Sequence, residues 1–200
     1  MLLTLIRHGE VNGRAQVLRG RSDDMLTEYG YQQMREIAKT IQPDISAMAT
    51  SPLKRCHDFA SVLSEQCQLP LHVINELREI DFGKWDNLTL SEAEAHDPQC
   101  FHAFKHNTGE WQAPGGEHYQ TFRLRIRNAL QHILLMKTSH VLAITHGGVI
   151  RAVLAECLQL SPASAARIGV PLAGLCQLWI DENGSGSLLR LQWLEKPCAV

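Results

Sequence analysis

Two arginines, two histidines and one glutamate stand at or just beyond the ends of short apolar runs in this 200-residue sequence. They are Arg7, His8, Arg55, Glu79 and His146. Guanidinium groups bind the oxygens of tetrahedral anions through paired hydrogen bonds, and a neutral imidazole can act as a nucleophile. Because a carboxyl group can supply and accept a proton, the set predicts a cationic site that binds a phosphate ester.

The adjacent Arg7 and His8 pose an electrostatic problem, because two potential cations at the end of a buried strand repel each other. A bound phosphate dianion would offset this repulsion. The positive charge of Arg7 also lowers the pKa of His8 and favours its neutral, nucleophilic form. We expect Glu10, the carboxylate that follows in sequence, to be a bystander or to organise hydrogen bonds, and not to act in catalysis.

Apolar runs predict six strands, and helical periodicity fills most of the stretches between them. Strands are expected at residues 2–7, 47–50, 71–74, 141–145, 175–181 and 188–194, and helices at residues 27–41, 51–67, 117–136, 147–158 and 161–167. Thr27 and Ser51 are the predicted N-caps of the first two helices. This alternation indicates a three-layer α/β fold, with a mostly parallel central sheet, helices on both faces and an antiparallel C-terminal edge.

The predicted sheet explains how residues far apart in sequence could form one site. Ligands of such sheets bind beyond the carboxyl ends of the strands, where the arginines and histidines fall. Backbone N–H groups at the helix start, from Gly147 onwards, could add donors for an anion. Residues 83–118 interrupt the rhythm with glycines, prolines and aromatics, and we interpret them as a small helical lid inserted into a single domain over residues 1–200.

Composition excludes several classes of partner. The formal net charge is −2 and no apolar stretch reaches about 18 residues, so we expect neither a nucleic acid nor a membrane as partner. Six scattered cysteines without a Cys-x-x-Cys pair favour reduced thiols and a cytoplasmic location. An exposed strand near the C-terminus could pair two chains, so both a monomer and a homodimer are compatible with the sequence.

Five segments occur in an order and at spacings that resemble the histidine phosphatase superfamily, which includes cofactor-dependent phosphoglycerate mutases and many small phosphatases. They are "LIRHGE", "SPLKRC", "LREIDFGKW", "PGGE" and "ITHGG", and the resemblance covers almost the whole chain. Within the superfamily the compact length and the "LREIDFGKWD" segment are most similar to the α-ribazole phosphatase branch of cobalamin nucleotide-loop assembly. The resemblance implies a metal-independent phosphomonoesterase that acts on a small-molecule phosphate monoester without any cofactor.

The resemblance also implies roles for individual residues. His8 would be the nucleophile that forms a phosphohistidine, and Glu79 would be the general acid and base, with Glu76 and Asp81 as rivals nearby. The remaining phosphate contacts would come from Arg7, Arg55 and His146, with further contacts from Asn12, Gly147, Gly20 and Arg19.

Some positions depart from the family pattern. The segment after His8 lacks the family's Trp-Asn pair and is one residue shorter, so Asn12 and Arg14 match the family's phosphate contacts less well. Arg19 stands where many members have a glutamine. His102 and His106 have the spacing of a metal-binding pair, but a polar lid surface is the better interpretation. Phosphoglycerate mutase, broad-specificity sugar-phosphate phosphatase and a non-catalytic phosphate-binding module remain alternatives to α-ribazole phosphatase.

Overall fold

The computed structural model describes residues 1–41, 44–106 and 109–194, and these contain a single six-stranded sheet. The strands are β1 Leu2–Arg7, β2 Ala47–Thr50, β3 Leu71–Val73, β4 His140–Thr145, β5 Leu175–Ile180 and β6 Gly186–Gln192. Their order across the sheet is β3-β2-β4-β1-β5-β6. Strands β1 to β4 are mutually parallel, whereas β5 and β6 add antiparallel pairs at one side. The predicted α/β class and the antiparallel C-terminal edge are therefore confirmed.

Helices cover both faces of this sheet. They are α1 Glu28–Ala38, α2 Lys54–Cys67, α3 Leu90–His96, α4 Pro98–His106, α5 Tyr119–Leu135, α6 Gly147–Cys157 and α7 Pro162–Ala166. One apolar cluster joins Leu3 and Leu5 of β1 to α5 and α6, and a second joins Ile6 to α1 and α2. Since successive side chains of a strand point to opposite faces, β1 anchors both layers of helices.

The two predicted helix N-caps have opposite outcomes. Thr27 caps α1 as predicted, because its side chain accepts a hydrogen bond from the N–H of Gly30. The predicted cap at Ser51 is wrong, since α2 begins at Lys54 after Leu53, which makes no side-chain cap. The Ser51 hydroxyl accepts the Leu53 N–H and also bonds to the His146 ring, so this serine belongs to the site and not to the helix end.

The segment from Gly83 to His118 consists of a 3₁₀ turn at Gly83–Trp85, the helices α3 and α4, and a turn before α5. Aromatic rings fill its interior. The Phe104 ring lies 5.8 Å from Trp85 and 4.9 Å from Trp111, and both Phe104 and Trp111 pack against Phe82, which precedes the segment, at 6.0 and 6.4 Å. These rings belong to the same apolar cluster as β1, α5 and α6, so the segment packs on the main core. Within the described residues no helix combines the length and apolarity needed to cross a bilayer.

Candidate active site

The carboxyl ends of β1, β2 and β4 bring the predicted arginines and histidines together. Arg7 is paired with Thr145 in neighbouring parallel strands, so His8 and His146 follow at the same level of the sheet. Their ring centroids lie 5.4 Å apart, and the rings meet edge to face. Arg55, one residue into α2, is fully buried beside them. Sheet register therefore brings residues separated by about 140 positions into one pocket.

His8 is held as a neutral imidazole of defined tautomer. Its Nδ1 lies 2.8 Å from the carbonyl oxygen of Gly9, so Nδ1 carries the proton and Nε2 keeps its lone pair. Burial, followed by the positive charges of Arg55 and Arg7, holds the pKa of His8 well below its usual range. At neutral pH the Nε2 lone pair is therefore free to attack an electrophile.

Arg55 and His146 form a buried unit behind His8. The Nε of Arg55 donates to Nδ1 of His146 at 3.2 Å, so the His146 proton is on Nε2, which donates to Ser51 Oγ at 2.7 Å. Burial lowers the pKa of His146 well below its usual range, and the positive charge of Arg55 acts in the same direction. Both ring nitrogens of His146 thus have protein partners, and a direct bond from this ring to phosphate stays a prediction.

The remaining nitrogens of Arg55 donate to backbone carbonyls, those of Ser22 and of Gly20 at 2.5 and 2.9 Å. Arg7 uses one nitrogen in the same way, donating from Nη1 to Val170 at 2.7 Å. Its Nε is buried and has no hydrogen-bond partner within the described residues. Because a buried N–H without an acceptor is costly, the Arg7 Nε is a suitable donor to a ligand oxygen.

Glu79 is bound at the N-terminus of α6, directly after His146. Its Oε2 accepts the Gly148 N–H at 2.9 Å and its Oε1 accepts its neighbour Ile80 N–H at 3.0 Å. A Cβ on residue 148 would lie only 2.3 Å from Oε1, so the carboxylate occupies space that only glycine leaves open. The second glycine of "THGG" is thus explained by the approach of Glu79.

The two rival carboxylates have other contacts. Glu76 faces His132 of α5 at 3.9 Å. Asp81 accepts the Gly83 N–H and lies 3.3 Å from Arg21. Of the three carboxylates, Glu79 is therefore the one that the structure places beside the His146 turn.

Two residues that sequence reasoning missed hold the segment around Glu79. Arg125 of α5 donates to the backbone carbonyl of Glu79 at 3.0 Å and pairs with Glu117. Glu117 is the glutamate of "PGGE", and its own N–H donates to the Asp81 carbonyl. A Cβ on Gly116 would lie 2.4 Å from that same carbonyl oxygen, so this turn needs glycine. An arginine within a helix gives no sequence signal of such a role, because its partners are about 50 residues away.

The weaker predicted contacts lie in the loop between β1 and α1. Asn12 is exposed, and its backbone N–H donates to Met25. The N–H of Gly20 donates to Asp86, and Arg19 forms an ion pair with Asp24 and donates to the Arg14 carbonyl. These bonds assign Gly20 and Arg19 to the support of the loop, and a phosphate contact by them, as by Asn12, stays a prediction.

Gly147 begins α6 next to Arg7, since a Cβ at residue 147 would lie 3.3 Å from the Arg7 Nε. The helix start is therefore adjacent to the unpartnered donor. The anion contact from its N–H remains a prediction.

Metal ligation has little support in the described part of the chain. The rings of His102 and His106 lie 4.3 Å apart on α4. Within residues 1–41, 44–106 and 109–194 no group of three or more histidine, cysteine, aspartate or glutamate side chains is arranged to hold a metal ion. The buried Cys56 lies 3.7 Å from the His146 Nε2, and burial raises the pKa of its thiol, which keeps it a neutral packing group.

Comparison with known proteins agrees with this geometry. The sequence profile of the histidine phosphatase superfamily (branch 1) matches residues 3–193, which include all five principal site residues. The chain belongs to the histidine phosphatase superfamily. Arg7, His8, Arg55, Glu79 and His146 thus form the candidate active site of a histidine phosphatase fold.

Curated relatives of this chain carry different names. A metal-independent phosphoserine phosphatase of Arabidopsis thaliana is 30% identical over 167 residues, covering 80% of this chain and 70% of that protein. A bifunctional protein of Mycobacterium tuberculosis is 28% identical over 190 residues, covering 93% of this chain. The chain spans about half the length of that relative, 52%.

Among solved structures, the α-ribazole phosphatase of Shigella flexneri superposes with a TM-score of 0.81 at 25% identity. The match covers 96% of each chain. The similarity to a histidine phosphatase fold therefore extends over nearly the full sheet and both helical layers.

Proposed function

We propose that this protein is a metal-independent phosphomonoesterase that works through a phosphohistidine at His8. The observation that carries the proposal is the neutral His8 ring, with its proton fixed on Nδ1 by the Gly9 carbonyl and two guanidiniums beside it. An imidazole in this state is a ready nucleophile, and the guanidiniums supply the positive charge that a phosphoryl group needs.

The first step forms a bond between His8 Nε2 and phosphorus and breaks the bond from phosphorus to the ester oxygen. Arg7 and Arg55 stabilise charge on the equatorial oxygens, and the unpartnered Arg7 Nε gains an acceptor. Glu79, held at the start of α6, gives its proton to the leaving oxygen. In the second step Glu79 takes a proton from water, the resulting hydroxide attacks phosphorus, and the P–N bond breaks to release phosphate.

The substrate we propose is α-ribazole 5′-phosphate, on the basis of the similarity to the Shigella flexneri α-ribazole phosphatase. Phosphoserine is the second candidate, because the Arabidopsis thaliana relative at 30% identity is named a phosphoserine phosphatase. Both substrates are small phosphate monoesters, so the phosphate contacts that we propose for Arg7 and Arg55 would serve either.

Hydrolysis of p-nitrophenyl phosphate in the presence of EDTA, by the wild type and by H8N, tests the chemistry. We expect the wild type to be active and H8N to be inactive, with a radiolabelled phosphoenzyme trapped by alkaline quench in the wild type alone. Equal rates for the two proteins would refute the phosphohistidine mechanism.

A panel of metabolite phosphates tests the substrate. The panel contains α-ribazole 5′-phosphate, phosphoserine, sugar phosphates and 3-phosphoglycerate with 2,3-bisphosphoglycerate. We expect the highest kcat/KM for α-ribazole 5′-phosphate. A much higher value for phosphoserine or a sugar phosphate would replace the substrate and leave the chemistry intact, whereas isomerisation of 3-phosphoglycerate would indicate a mutase.

A further inference from the structure

The segment that carries Glu79 has carbonyl groups that no strand or helix satisfies. Three of them, at Glu76, Arg78 and Glu79, accept hydrogen bonds from the guanidinium of Arg125 at 2.6, 2.6 and 3.0 Å. The carbonyls of an irregular segment must find partners outside a regular ladder, and the bonds to Glu76 and Glu79 are partly buried. We call residues 75–81 the acid loop, and its backbone is thus bound to one side chain of α5.

Arg125 is itself fixed from two other directions. Its Nε and Nη2 donate to the two carboxylate oxygens of Glu117, each at 2.8 Å, and its Cζ lies 4.7 Å from the centroid of the Phe122 ring. The Arg125 and Glu117 side chains are only 13% and 16% exposed. A bidentate arginine–carboxylate pair with this burial holds the guanidinium plane in one orientation.

Glu79 is consequently anchored at both ends. Its backbone carbonyl binds Arg125, and its carboxylate binds the Gly148 N–H at the start of α6. Without Arg125, the Glu79 carboxylate would keep its bond to Gly148. The backbone of the acid loop would lose the hydrogen bonds that Arg125 donates to three of its carbonyls. The expected result is a misplaced carboxylate and not a lost one.

We propose that Arg125, oriented by Glu117, is a positioning residue that sets the placement of the Glu79 carboxyl for proton transfer to the leaving oxygen. This inference rests on the proposed function, because it assigns Glu79 the acid role. Arginine is required here because its planar fork reaches three carbonyls and a carboxylate at once. A lysine ammonium offers three donors from a single point and cannot reproduce that pattern.

Leaving groups of different basicity provide the test. A poorly basic leaving group such as p-nitrophenolate departs with little help from an acid, whereas an alkoxide needs the proton. We expect R125K to lower kcat/KM, which reports formation of the phosphoenzyme, on an alkyl phosphate by on the order of tenfold to a hundredfold, and on p-nitrophenyl phosphate by only about twofold. A loss in the second step, which is common to both substrates, lowers kcat for both alike and leaves this comparison of kcat/KM unchanged.

Arg123 supplies the matched control on the same helix. It pairs with Glu156 of α6 and its side chain is 18% exposed. Its hydrogen bonds within the described residues go to Glu156 and not to the acid loop. We expect R123K to keep the wild-type rate on both substrates. If R125K lowers the two kcat/KM values equally, or if R123K reproduces its pattern, the positioning role is wrong.

A double-substitution cycle with E79Q adds a second measurement. Removing Arg125 should cost little once the acid itself is gone, so R125K/E79Q should be about as slow as E79Q on the alkyl phosphate. A further loss equal to that of R125K alone would overturn the inference. E117Q, which leaves Arg125 in place, should show a weaker form of the R125K pattern and covers the case in which R125K folds poorly.

The outcomes separate the two proposals. Full activity in H8N would refute the proposed function. A dead H8N together with a leaving-group-independent loss in R125K would refute only the role of Arg125.

Discussion

The pocket formed by Arg7, His8, Arg55 and His146 and the acid loop are two halves of one candidate site that are built in different ways. In the pocket, Arg7 and His8 lie at the end of β1, and His146 lies at the end of β4. Strand β1 is paired with β4 over its full length, and β4 is also paired with β2. The acid loop follows the three-residue strand β3 and contains only a 3₁₀ turn at Asn75–Leu77. It is held by side chains that come from later elements, Arg125 of α5 and Thr145 at the end of β4.

This difference has a consequence for substitutions. Arg7, His8 and His146 are positioned by backbone ladders, so changing one of these side chains removes its chemistry but leaves its neighbours in place. The acid loop has few ladder bonds, so its geometry depends on single side chains and on close backbone approaches. We therefore expect substitutions in the pocket to remove a catalytic group, and substitutions around the acid loop to misplace the Glu79 carboxyl.

The largest effect is expected in the pocket, from H8N. Asparagine keeps a hydrogen-bonding group of similar reach but cannot form a phosphohistidine, so kcat on p-nitrophenyl phosphate should fall by about 10⁴-fold or more. Steady-state assays with EDTA measure this loss, and thermal unfolding checks that the variant is folded. Residual activity within tenfold of the wild type would contradict a nucleophilic His8.

A smaller effect is expected from G148A, which acts on the acid loop through space. The added methyl would fall 2.3 Å from Glu79 Oε1 and must displace the carboxylate from the start of α6. We expect kcat on an alkyl phosphate to fall on the order of a hundredfold with KM nearly constant. G169A is the control, because nothing lies within 4 Å of the corresponding Cβ. An equal loss in both variants would show that the effect is not specific to Glu79.

The pocket also makes stability depend on pH. Burial and the nearby arginines hold the pKa of His8 and His146 well below 6.5, so the unfolded chain binds more protons than the folded one below that pH. The unfolding free energy should therefore fall as pH drops below about 6.5, by up to roughly 1.4 kcal/mol per pH unit for each histidine. Urea unfolding at pH 5 and pH 7 measures this, and H8N should reduce the slope. An unchanged stability would contradict neutral buried histidines.

The sequence was sufficient for the pocket and insufficient for its supports, for a physical reason. Strand periodicity predicted that Arg7, His8 and His146 meet, because sheet register follows from apolar patterning and ligands bind beyond the carboxyl ends of the strands. The support of the acid loop by Arg125 depends on side-chain contacts across about 50 residues, which no local pattern encodes. The wrong cap at Ser51 has the same origin, since a residue suited to a helix end bonds instead to His146.

The smallest effect is expected where an arginine–glutamate pair joins two segments at the surface. Arg14 bonds to Glu92 of α3 at 2.7 Å, as Arg125 bonds to Glu117, but its side chain and that of Glu92 are 52% and 42% exposed. The bond holds the pKa of Glu92 at about 2, yet water and salt screen exposed pairs and leave them little net effect.

E92Q should therefore keep kcat and KM within about twofold of the wild type, because glutamine can still accept the Thr89 bonds that cap α3. E117Q also replaces a carboxylate oxygen by an amide nitrogen, but in a buried pair, and it should lower kcat on an alkyl phosphate. Measured side by side, the two variants show whether the loss of a glutamate charge matters in itself or only where the buried pair positions the acid loop. If E92Q lowered kcat as much as E117Q, the exposed pair would also position the site. The loop from Asn12 to Gly20 would then depend on a distant side chain, as the acid loop does.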